Sequence, residues 1–372
     1  MTMHILLTGG AGFIGSHLAD ALLADGHRVR ALDSLEPQVH GGDRLRPGYL
    51  DPDVELHVGD VRDPDAVRRA LSGVDHVVHL AALVGVGQSM YEIQRYADVN
   101  TTGTAVLLQA LIEEPPERLV VASSMSVYGE GLYRRPDGAL RPGRERSMDQ
   151  LRTGRWDLAD DDGAPLAPVP TPESKQPSLA SVYALSKFDQ ERLSLLIGRT
   201  YGIPTVALRF FNTYGPRQAL SNPYTGVLAI FASRLLNDNP PRIFEDGLQQ
   251  RDFVSVHDVV DGLRLALTRP EAAGKVFNVG SGDHHTVRDV ADRIARVLGK
   301  EEIQPELTGT ARAGDIRHCF ADIGAIQQQL GYRPRITLDA GLEELAAWLA
   351  GQVAHDHVAE ASRELATRGL TV

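Results

Sequence analysis

Tyr183 and Lys187 lie four residues apart in the segment Ser181-Val-Tyr-Ala-Leu-Ser-Lys187. On an α-helix this spacing puts both side chains on one face, one turn apart, so the ammonium would stand beside the phenol. A neighbouring cation favours the phenolate and is expected to lower the tyrosine pKa, which makes the phenol usable as a base near neutral pH. The chain has only four lysines, so such a pair rarely arises by chance. The pair predicts proton-transfer chemistry; the structural alternative is an i, i+4 pair on a surface helix.

A glycine-rich turn precedes this pair in the chain. Gly9, Gly12 and Gly15 are spaced G-x-x-G-x-x-G between a predicted strand and a predicted helix. Glycines at this spacing let the backbone approach a pyrophosphate held at the helix N-terminus. Asp33 ends the next predicted strand, where its carboxylate can accept both hydroxyls of an adenosine ribose and would repel a 2′-phosphate. The turn and Asp33 predict NAD rather than NADP; the alternative role for Asp33 is a helix or turn cap.

The elements that must position these residues alternate along the first half of the chain. Runs rich in β-forming residues cover 4–8, 28–33, 54–58, 76–80, 118–123 and 205–210, and helical patterns cover 14–25, 66–72, 97–113 and 182–201. This alternation predicts an α/β fold with a Rossmann-type, doubly wound parallel sheet, which binds ligands at the carboxyl ends of its strands.

Short polar or small-residue motifs follow three of the predicted strands at that edge. Asp60-Val61 suits the adenine amine, and Leu80-Ala81-Ala82 suits close backbone packing. Ser123-Ser124 ends the fifth strand, where Ser124 is expected to hydrogen-bond the same substrate hydroxyl as Tyr183. The alternative for Ser124 is a serine that caps a strand end.

Two lobes are predicted from the length of 372 residues and the apolar fraction of 42%. Residues 1–212 form the expected NAD-binding domain, to which 251–280 return, and residues 213–372 form a smaller C-terminal α/β substrate lobe with a helical tail over 338–370. The segment 130–177 is rich in charge, Gly and Pro and is predicted to be an insertion. It is interpreted either as a lid over the active site or as an ornamental surface loop.

Composition excludes several functions. The net charge of −11, without a block of Lys or Arg, argues against nucleic acid as a partner. The chain reaches a strand within a few residues of Met1 and has no long apolar run, so neither a signal peptide nor a membrane span is expected, and a cytoplasmic location is predicted. The single cysteine, Cys319, is expected to be an inert thiol, and the scattered histidines predict no metal site.

Taken together, the motifs resemble those of the extended short-chain dehydrogenase/reductase family, in its nucleotide-sugar epimerase and dehydratase branch. The resemblance runs to about residue 335 and rests on the glycine turn, Asp33, Leu80-Ala81-Ala82, Ser123–Gly129, Tyr183-x-x-x-Lys187 and Arg209–Pro216. It implies a nucleotide-sugar substrate and a homodimer formed through the helices 97–113 and 182–201.

The resemblance also implies roles for single residues. Ser124, Tyr183 and Lys187 would be catalytic, with Lys187 holding the nicotinamide ribose. The implied NAD contacts are Gly9, Gly12, Phe13, Ile14, Gly15, Asp33, Asp60, Val61, Leu80, Ala81, Ala82, Asn100, Ser123, Tyr183, Lys187 and Phe210. The implied substrate contacts are Ser124, Met125, Ser126, Tyr183, Asn212, Arg251, Arg312 and Asp315. A guanidinium suits phosphate oxygens, although a solvated surface arginine is the alternative at both arginine positions.

The residues after Ser124 bear on the reaction. Family members that dehydrate a sugar carry Asp-Glu there, whereas this chain has Met125 and Ser126, neither of which ionises usefully. Epimerisation at C4 through a 4-keto sugar is therefore predicted, with Tyr183 as the base. The stretch 217–227 and the insertion resemble a subgroup that epimerises dTDP-L-rhamnose to dTDP-6-deoxy-L-talose. UDP-glucose, UDP-glucuronate and their N-acetyl derivatives stay open as substrates, as does a net oxidoreductase or a 4,6-dehydratase.

Overall fold

A seven-stranded parallel sheet organises the computed structural model, which describes residues 2–312, 314–352, 354 and 356–372. The strands are β1 His4–Thr8, β2 Arg28–Asp33, β3 Glu55–Val58, β4 His76–His79, β5 Arg118–Ser124, β6 Leu132–Arg134, β7 Leu140–Pro142, β8 Ala167–Val169, β9 Thr205–Phe210, β10 Asn212–Tyr214, β11 Arg242–Ile243, β12 Gln250–Arg251, β13 Phe253–Ser255, β14 Val276–Val279, β15 His285–Thr286, β16 Glu306–Leu307 and β17 His318–Cys319. The order across the main sheet is β14-β9-β5-β4-β1-β2-β3.

Helices cover both faces of that sheet. They are α1 Phe13–Ala24, α2 Pro37–His40, α3 Pro64–Leu71, α4 Val86–Ser89, α5 Ile93–Tyr96, α6 Gly103–Glu113, α7 Met148–Arg152, α8 Val182–Tyr201, α9 Val227–Leu236, α10 Val256–Thr268, α11 Val287–Val297, α12 Gly324–Leu330, α13 Leu338–Leu349 and α14 Val358–Thr367. A π-helical turn, Ala97–Thr102, leads into α6, and 3₁₀ turns cover Met125–Tyr128 and Pro270–Ala272. In the described part of the chain, no helix combines the length and the apolarity that a bilayer crossing needs.

Each face of the sheet has its own core. One core contains Leu18 and Leu22 of α1 and Leu263 of α10, packed on β1 and β9. The other contains side chains from α3 and α6, including Val67 and Leu107. Strands that are buried on both faces read as continuous apolar runs, which explains why β1 and β9 stand out in the sequence. The architecture confirms the predicted fold class.

The strand order reverses at β1, which pairs with β2 on one side and with β4 on the other. At such a switch point the loops that leave the two neighbouring strands diverge and open a crevice beyond their carboxyl ends. The glycine turn after β1 borders this crevice. The opposite wall comes from β10, β13 and α9, which share a separate core with α11 and α13 in a smaller lobe.

Residues 130–177 have more structure than their composition indicates. They form a three-stranded antiparallel sheet with the strand order β7-β6-β8. The short helix α7 lies between β7 and β8 in the chain. Gly131 and Thr171 connect this sheet to the rest of the chain through hydrogen bonds with the backbone at His318 and Phe320. Cys319 lies beside this junction, 1% exposed, and burial raises the pKa of its thiol to about 12.

Candidate active site

The glycine turn has the close packing that a dinucleotide site needs. Gly9 has a φ of +70°, and a Cβ placed on it would lie 2.9 Å from the backbone nitrogen of Ala81. A Cβ on Gly15 would lie 2.4 Å from the carbonyl of Gly9, so any side chain there would push the turn away from α1. Gly12 precedes α1, and no side chain caps the first N–H groups of this helix. Those groups are suited to a pyrophosphate, so the residues present fit NAD.

Asp33 ends β2 beside this turn and is 9% exposed. Its Oδ2 accepts a hydrogen bond from the backbone N–H of Ala11 at 3.0 Å, and its Oδ1 accepts one from that of Leu35 at 2.9 Å. Burial raises the pKa of this carboxyl, while the two N–H groups act in the opposite direction. The contacts fix the carboxylate at the edge of the cleft, where adenosine hydroxyls could be bound.

Most of the residues predicted to contact NAD line one cleft of about 380 Å³. Those found there are Gly9, Gly12, Phe13, Ile14, Gly15, Asp33, Asp60, Val61, Leu80, Ala81, Ala82, Ser123, Tyr183, Lys187 and Phe210. Asn100 does not line the cleft. It is fully buried, and its amide is bound to the backbone of Leu83 through a donated and an accepted hydrogen bond, so it supports the cleft wall from behind.

Ser124 and Tyr183 meet at the far end of the cleft. The N-terminus of α8 lies against β5, and Ser181 caps this helix by accepting a hydrogen bond from the N–H of Ala184. Ser124 hydrogen-bonds the Tyr183 phenol, an interaction that favours the phenolate and acts to lower the tyrosine pKa. The hydroxyl of Ser126 donates to Ser124 Oγ at 2.9 Å. The hydroxyls of Ser126 and Ser124 therefore form a hydrogen-bonded chain that ends at the Tyr183 phenol.

The pKa of Tyr183 is raised above its usual value of 10.0, which contradicts the direction expected from its spacing to Lys187. Burial is the main cause, because desolvation penalises the charged phenolate more than the neutral phenol. Burial also lowers the pKa of Lys187 to about 7. The Lys187 ammonium donates to Gln190 Oε1 at 2.6 Å, so in this structure the amide, rather than the phenol, is its hydrogen-bond partner.

The predicted substrate contacts fall into two groups. Ser124, Tyr183 and Asn212 line the cleft, and Asn212 Oδ1 is buried there without a hydrogen-bond partner. Met125 and Ser126 are buried behind Ser124. The structure does not bring Arg251, Arg312 and Asp315 into the cleft-lining set.

Both arginines are engaged by other parts of the protein. Arg251 donates to the carbonyls of Ile316 and Arg317, which shapes the loop that carries Arg312. Arg312 is paired with Asp315 at 2.9 Å, and its guanidinium stacks 4.5 Å from the ring centre of Phe244. The two arginines therefore do not form a preformed phosphate clamp at the cleft wall, and their contact with the substrate diphosphate stays a prediction. Ala313, which follows Arg312, lies outside the described residues.

The insertion is fixed to the loop that carries Arg312 by buried charges. Arg146, whose side chain is 1% exposed, lies 3.3 Å from Glu130 and 2.8 Å from Glu245, and it donates to the carbonyl of Asp315 at 3.0 Å. Arg317 is equally buried and joins Glu245 as well. These buried and mutually paired groups dock the insertion against the smaller lobe.

Sequence reasoning missed Gln190 and His79, which support Lys187 from behind. Gln190 lies three residues after Lys187 on α8 and so faces the same side of the helix, a spacing that could have identified it. His79 immediately precedes the Leu80-Ala81-Ala82 motif and ends β4.

Comparison with known proteins tests the resemblance. A family model described as the NAD dependent epimerase/dehydratase family matches residues 5–148 and 161–280, which make up more than half of the chain. The chain belongs to this family. A Burkholderia thailandensis protein named dTDP-L-rhamnose 4-epimerase is 36% identical over 353 residues, covering 94% of this chain and 95% of that protein.

Solved structures of the family agree with the fold. The UDP-glucose 4-epimerase of Thermus thermophilus in complex with NAD has a TM-score of 0.74 at 30% identity and covers 94% of this chain and 100% of its own. The UDP-glucuronic acid 4-epimerase of Bacillus cereus in complex with UDP-glucuronic acid and NAD has a TM-score of 0.75 at 27% identity, covering 94% and 99%. The predicted family, fold and NAD dependence are confirmed, and the protein is an enzyme of the nucleotide-sugar epimerase type.

Proposed function

We propose that this enzyme interconverts the C4 epimers of a nucleotide-linked 6-deoxysugar, with dTDP-L-rhamnose and dTDP-6-deoxy-L-talose as the substrate pair. The observation that carries the reaction type is the composition of the catalytic end of the cleft. Ser124, Tyr183 and Lys187 meet there, whereas the carboxylates among the described lining residues, Asp33, Glu36 and Asp60, follow β2 and β3 at the opposite end.

This distribution of charge favours epimerisation over dehydration. Elimination of water needs an acid and a base that act on neighbouring carbons, in addition to the group that removes the hydroxyl proton. Met125 and Ser126 occupy the positions after Ser124, and Ser126 is committed to its hydrogen bond with Ser124. Oxidation at C4 followed by reduction needs only the one phenol.

Tyr183 would take the proton of the C4 hydroxyl and return it after the keto sugar has turned over. NAD, held by the glycine turn and Asp33, would supply the hydride acceptor and donor for C4. Ser124 would position the C4 hydroxyl of the sugar beside the phenol. Its Oγ accepts a hydrogen bond from Ser126, so its own proton is free for donation. Since the phenol pKa is raised in the buried site, the positive charges of Lys187 and of the oxidised cofactor are needed to make it a base.

The sugar is proposed from the relative in Burkholderia thailandensis, whose identity of 36% extends over almost the whole chain. The runner-up is UDP-glucose, which the Thermus thermophilus neighbour is named for. The unpartnered Asn212 Oδ1 is suited to accept a hydrogen bond from either substrate, so it does not discriminate between them.

The enzyme is also proposed to be a homodimer formed through α6, with the turn before it, and α8. The outward face of α8 supports this arrangement, because Leu185 and Leu196, eleven residues apart and so on one face of the helix, are each about half exposed. A single helix face rarely leaves this much apolar surface to water without a partner. Leu196→Glu should convert the dimer to a monomer in sedimentation, while Arg296→Glu on the exposed side of α11, outside the proposed interface, should not.

The reaction is tested by incubating the purified enzyme with dTDP-L-rhamnose, UDP-glucose, UDP-glucuronate and dTDP-glucose in D₂O. A 4-epimerase gives an equilibrium mixture of two epimers of equal mass, with protium retained at C4 and with no net change in nicotinamide absorbance. Loss of water together with deuterium uptake at C5 would instead identify a dehydratase. Faster turnover of UDP-glucose than of dTDP-L-rhamnose would overturn the sugar and leave the reaction type intact.

A further inference from the structure

The catalytic ammonium has a buried partner that the reaction itself does not account for. Lys187 is 4% exposed, and its Nζ lies 2.6 Å from Gln190 Oε1, one turn further along α8. An ammonium carries three N–H donors, so this contact uses one of them. Lys187 also lines the cleft, so the remaining donors are available to a bound ligand.

The orientation of the Gln190 amide is fixed by its neighbours. Its Nε2 lies 2.9 Å from Thr104 Oγ1, 3.0 Å from His79 Nε2 and 3.2 Å from the carbonyl of Ala81. Thr104 donates its own proton to the carbonyl of Asn100 at 2.6 Å, so it can only accept from Gln190. Both N–H groups of the amide are therefore committed to acceptors, and its oxygen must face Lys187.

The supporting cluster extends to the strand that enters the glycine turn. His79 Nε2 lies 2.9 Å from Thr104 Oγ1, and His79 Nδ1 lies 2.7 Å from the hydroxyl of Thr8, the last residue of β1. Thr8, His79, Thr104 and Gln190 are each at most 1% exposed. Burial, with a smaller contribution from the Lys187 charge, lowers the pKa of His79 to about 3, so the ring stays neutral at physiological pH.

We propose that Gln190 is a positioning residue that holds the Lys187 ammonium at a fixed place in the cleft and stabilises its charged form. The amide links Lys187 to the end of β1, so the catalytic cation and the dinucleotide turn are held by one cluster. The inference rests on the proposed role of Lys187 in 4-epimerisation and adds the residue that keeps Lys187 in its working position and charge state.

The charges around Lys187 leave this role to a neutral group. Glu191, the next residue on α8, raises the Lys187 pKa, but its carboxylate is bound to Arg209 of β9 at 2.6 Å and to Ser123 of β5 at 2.7 Å. His79 on β4 is neutral, and Tyr183 is protonated in this structure because its pKa is raised. The Gln190 oxygen is thus the contact that directly favours the charged lysine over the neutral one.

The test measures the protonation of Lys187 directly. With only four lysines in the chain, ¹³Cε-lysine labelling gives few NMR signals, and loss of one signal in Lys187→Met assigns it. The chemical shift of that signal is followed as the pH is changed, and the titration midpoint is compared between the wild type, Gln190→Met and Gln190→Glu. We expect the Met variant to lower it by about one pH unit, since a hydrogen bond to a charged group contributes about 1.5 kcal/mol or more. The Glu variant should raise it, because a carboxylate favours the ammonium more strongly.

Turnover and cofactor binding provide the second readout. At pH 7.5, Gln190→Met should reduce kcat by about five-fold to ten-fold, in proportion to the lost charged fraction, with KM for the nucleotide sugar within about two-fold. The alkaline limb of its pH profile should move to lower pH by the same amount as the NMR midpoint. The NAD content after gel filtration should be lower in Gln190→Met than in the wild type and should recover in Gln190→Glu.

Arg296→Met, at an exposed position of α11 outside both the cleft lining and the proposed dimer face, is the control and should change neither the midpoint nor kcat. Equal Lys187 midpoints in the wild type and in both Gln190 variants would overturn the proposal. If Gln190→Met does not fold, the near-isosteric Glu variant still decides the outcome, since an unchanged midpoint there has the same meaning. A protein that turns over none of the sugars would refute the proposed function, and the NMR titration would still decide whether Gln190 stabilises the Lys187 ammonium.

Discussion

Replacement of Arg146 by methionine tests whether the insertion is docked against the smaller lobe. Arg146 is the only one of the groups at this junction that contacts Glu130, Glu245 and the carbonyl of Asp315 within the described structure. Methionine has a similar length and fills the same volume with apolar atoms, but it leaves two buried carboxylates without this cation.

The expected loss of unfolding free energy in Arg146→Met depends on the ion pairs that the two carboxylates keep. Removal of one member of a buried ion pair costs about 3–5 kcal/mol, because the other charge is left desolvated. Glu245 keeps its contact with Arg317 at 3.0 Å, so the lower end of this range, about 3 kcal/mol, is expected. Protonation of a carboxyl would limit the cost further, since burial already raises the pKa of Glu245.

Arg144 provides a control in the same segment. It pairs with Asp161 at 2.5 Å, but both side chains are about three-quarters exposed, so Arg144→Met should leave stability unchanged. Both variants are compared with the wild type by guanidinium unfolding followed by circular dichroism. The midpoint should fall clearly for Arg146→Met alone.

Kinetic measurements then decide whether residues 130–177 help to bind the substrate or are an ornamental surface loop. Loss of the hydrogen bond to the Asp315 carbonyl should loosen the Arg312 loop, so KM for the nucleotide sugar should rise several-fold with NAD content unchanged. If Arg146→Met matches Arg144→Met both in unfolding and in KM, the docking argument fails. Arg146→Met together with Glu130→Gln should recover part of the lost stability, because Glu130 is the carboxylate for which Arg146 is the ion-pair partner and the double change removes its unpaired charge.

Three further predictions follow from the site. Tyr183→Phe should abolish turnover while NAD stays bound, and wild-type turnover with this variant would remove the phenol from the mechanism. Ser126→Ala removes one hydrogen bond to Ser124, worth about 1 kcal/mol, so kcat should fall by about five-fold with KM unchanged; an unaltered kcat would exclude a role for this hydrogen-bonded chain. Burial lowers the pKa of His17 from 6.5 to about 4, so the unfolded chain takes up this proton first and stability is lost as the pH falls below about 6.5. Between pH 7 and pH 5 this loss amounts to about 2 kcal/mol, and His17→Gln should flatten the measured pH dependence of unfolding by that amount.

The sheet was predictable because its signal is local. The strands β1, β2 and β9 were predicted at the bounds that the structure has, since each is a short run rich in β-forming residues. The sheet of the insertion was not, because β6, β7 and β8 have three residues each and lie in a segment rich in charge, Gly and Pro. Strand β6 also pairs with β8, which is distant in sequence, so no local window contains the pair.

In the active site, too, local sequence signals were predictable and contacts made by the tertiary structure were not. Ser124 and Tyr183 were predicted to meet, because the carboxyl end of a strand and the helix after it have a fixed relation in this fold. The direction of the Tyr183 pKa was wrong, since spacing indicates which charge is near and says nothing of how much water is lost. The partners of Arg251 were out of reach for a related reason: its motif identifies an arginine, but the backbone carbonyls that accept its hydrogen bonds belong to a loop that only the tertiary structure brings close.

The burial of Cys319 has a practical consequence for single-molecule work. The thiol is the only one in the sequence, is 1% exposed and has a pKa of about 12, so maleimide reagents at neutral pH should leave it unmodified. A cysteine introduced at exposed Arg144 would then be the single attachment point for a fluorophore. Distance changes between the insertion and a labelled nucleotide could be followed without first removing a native cysteine.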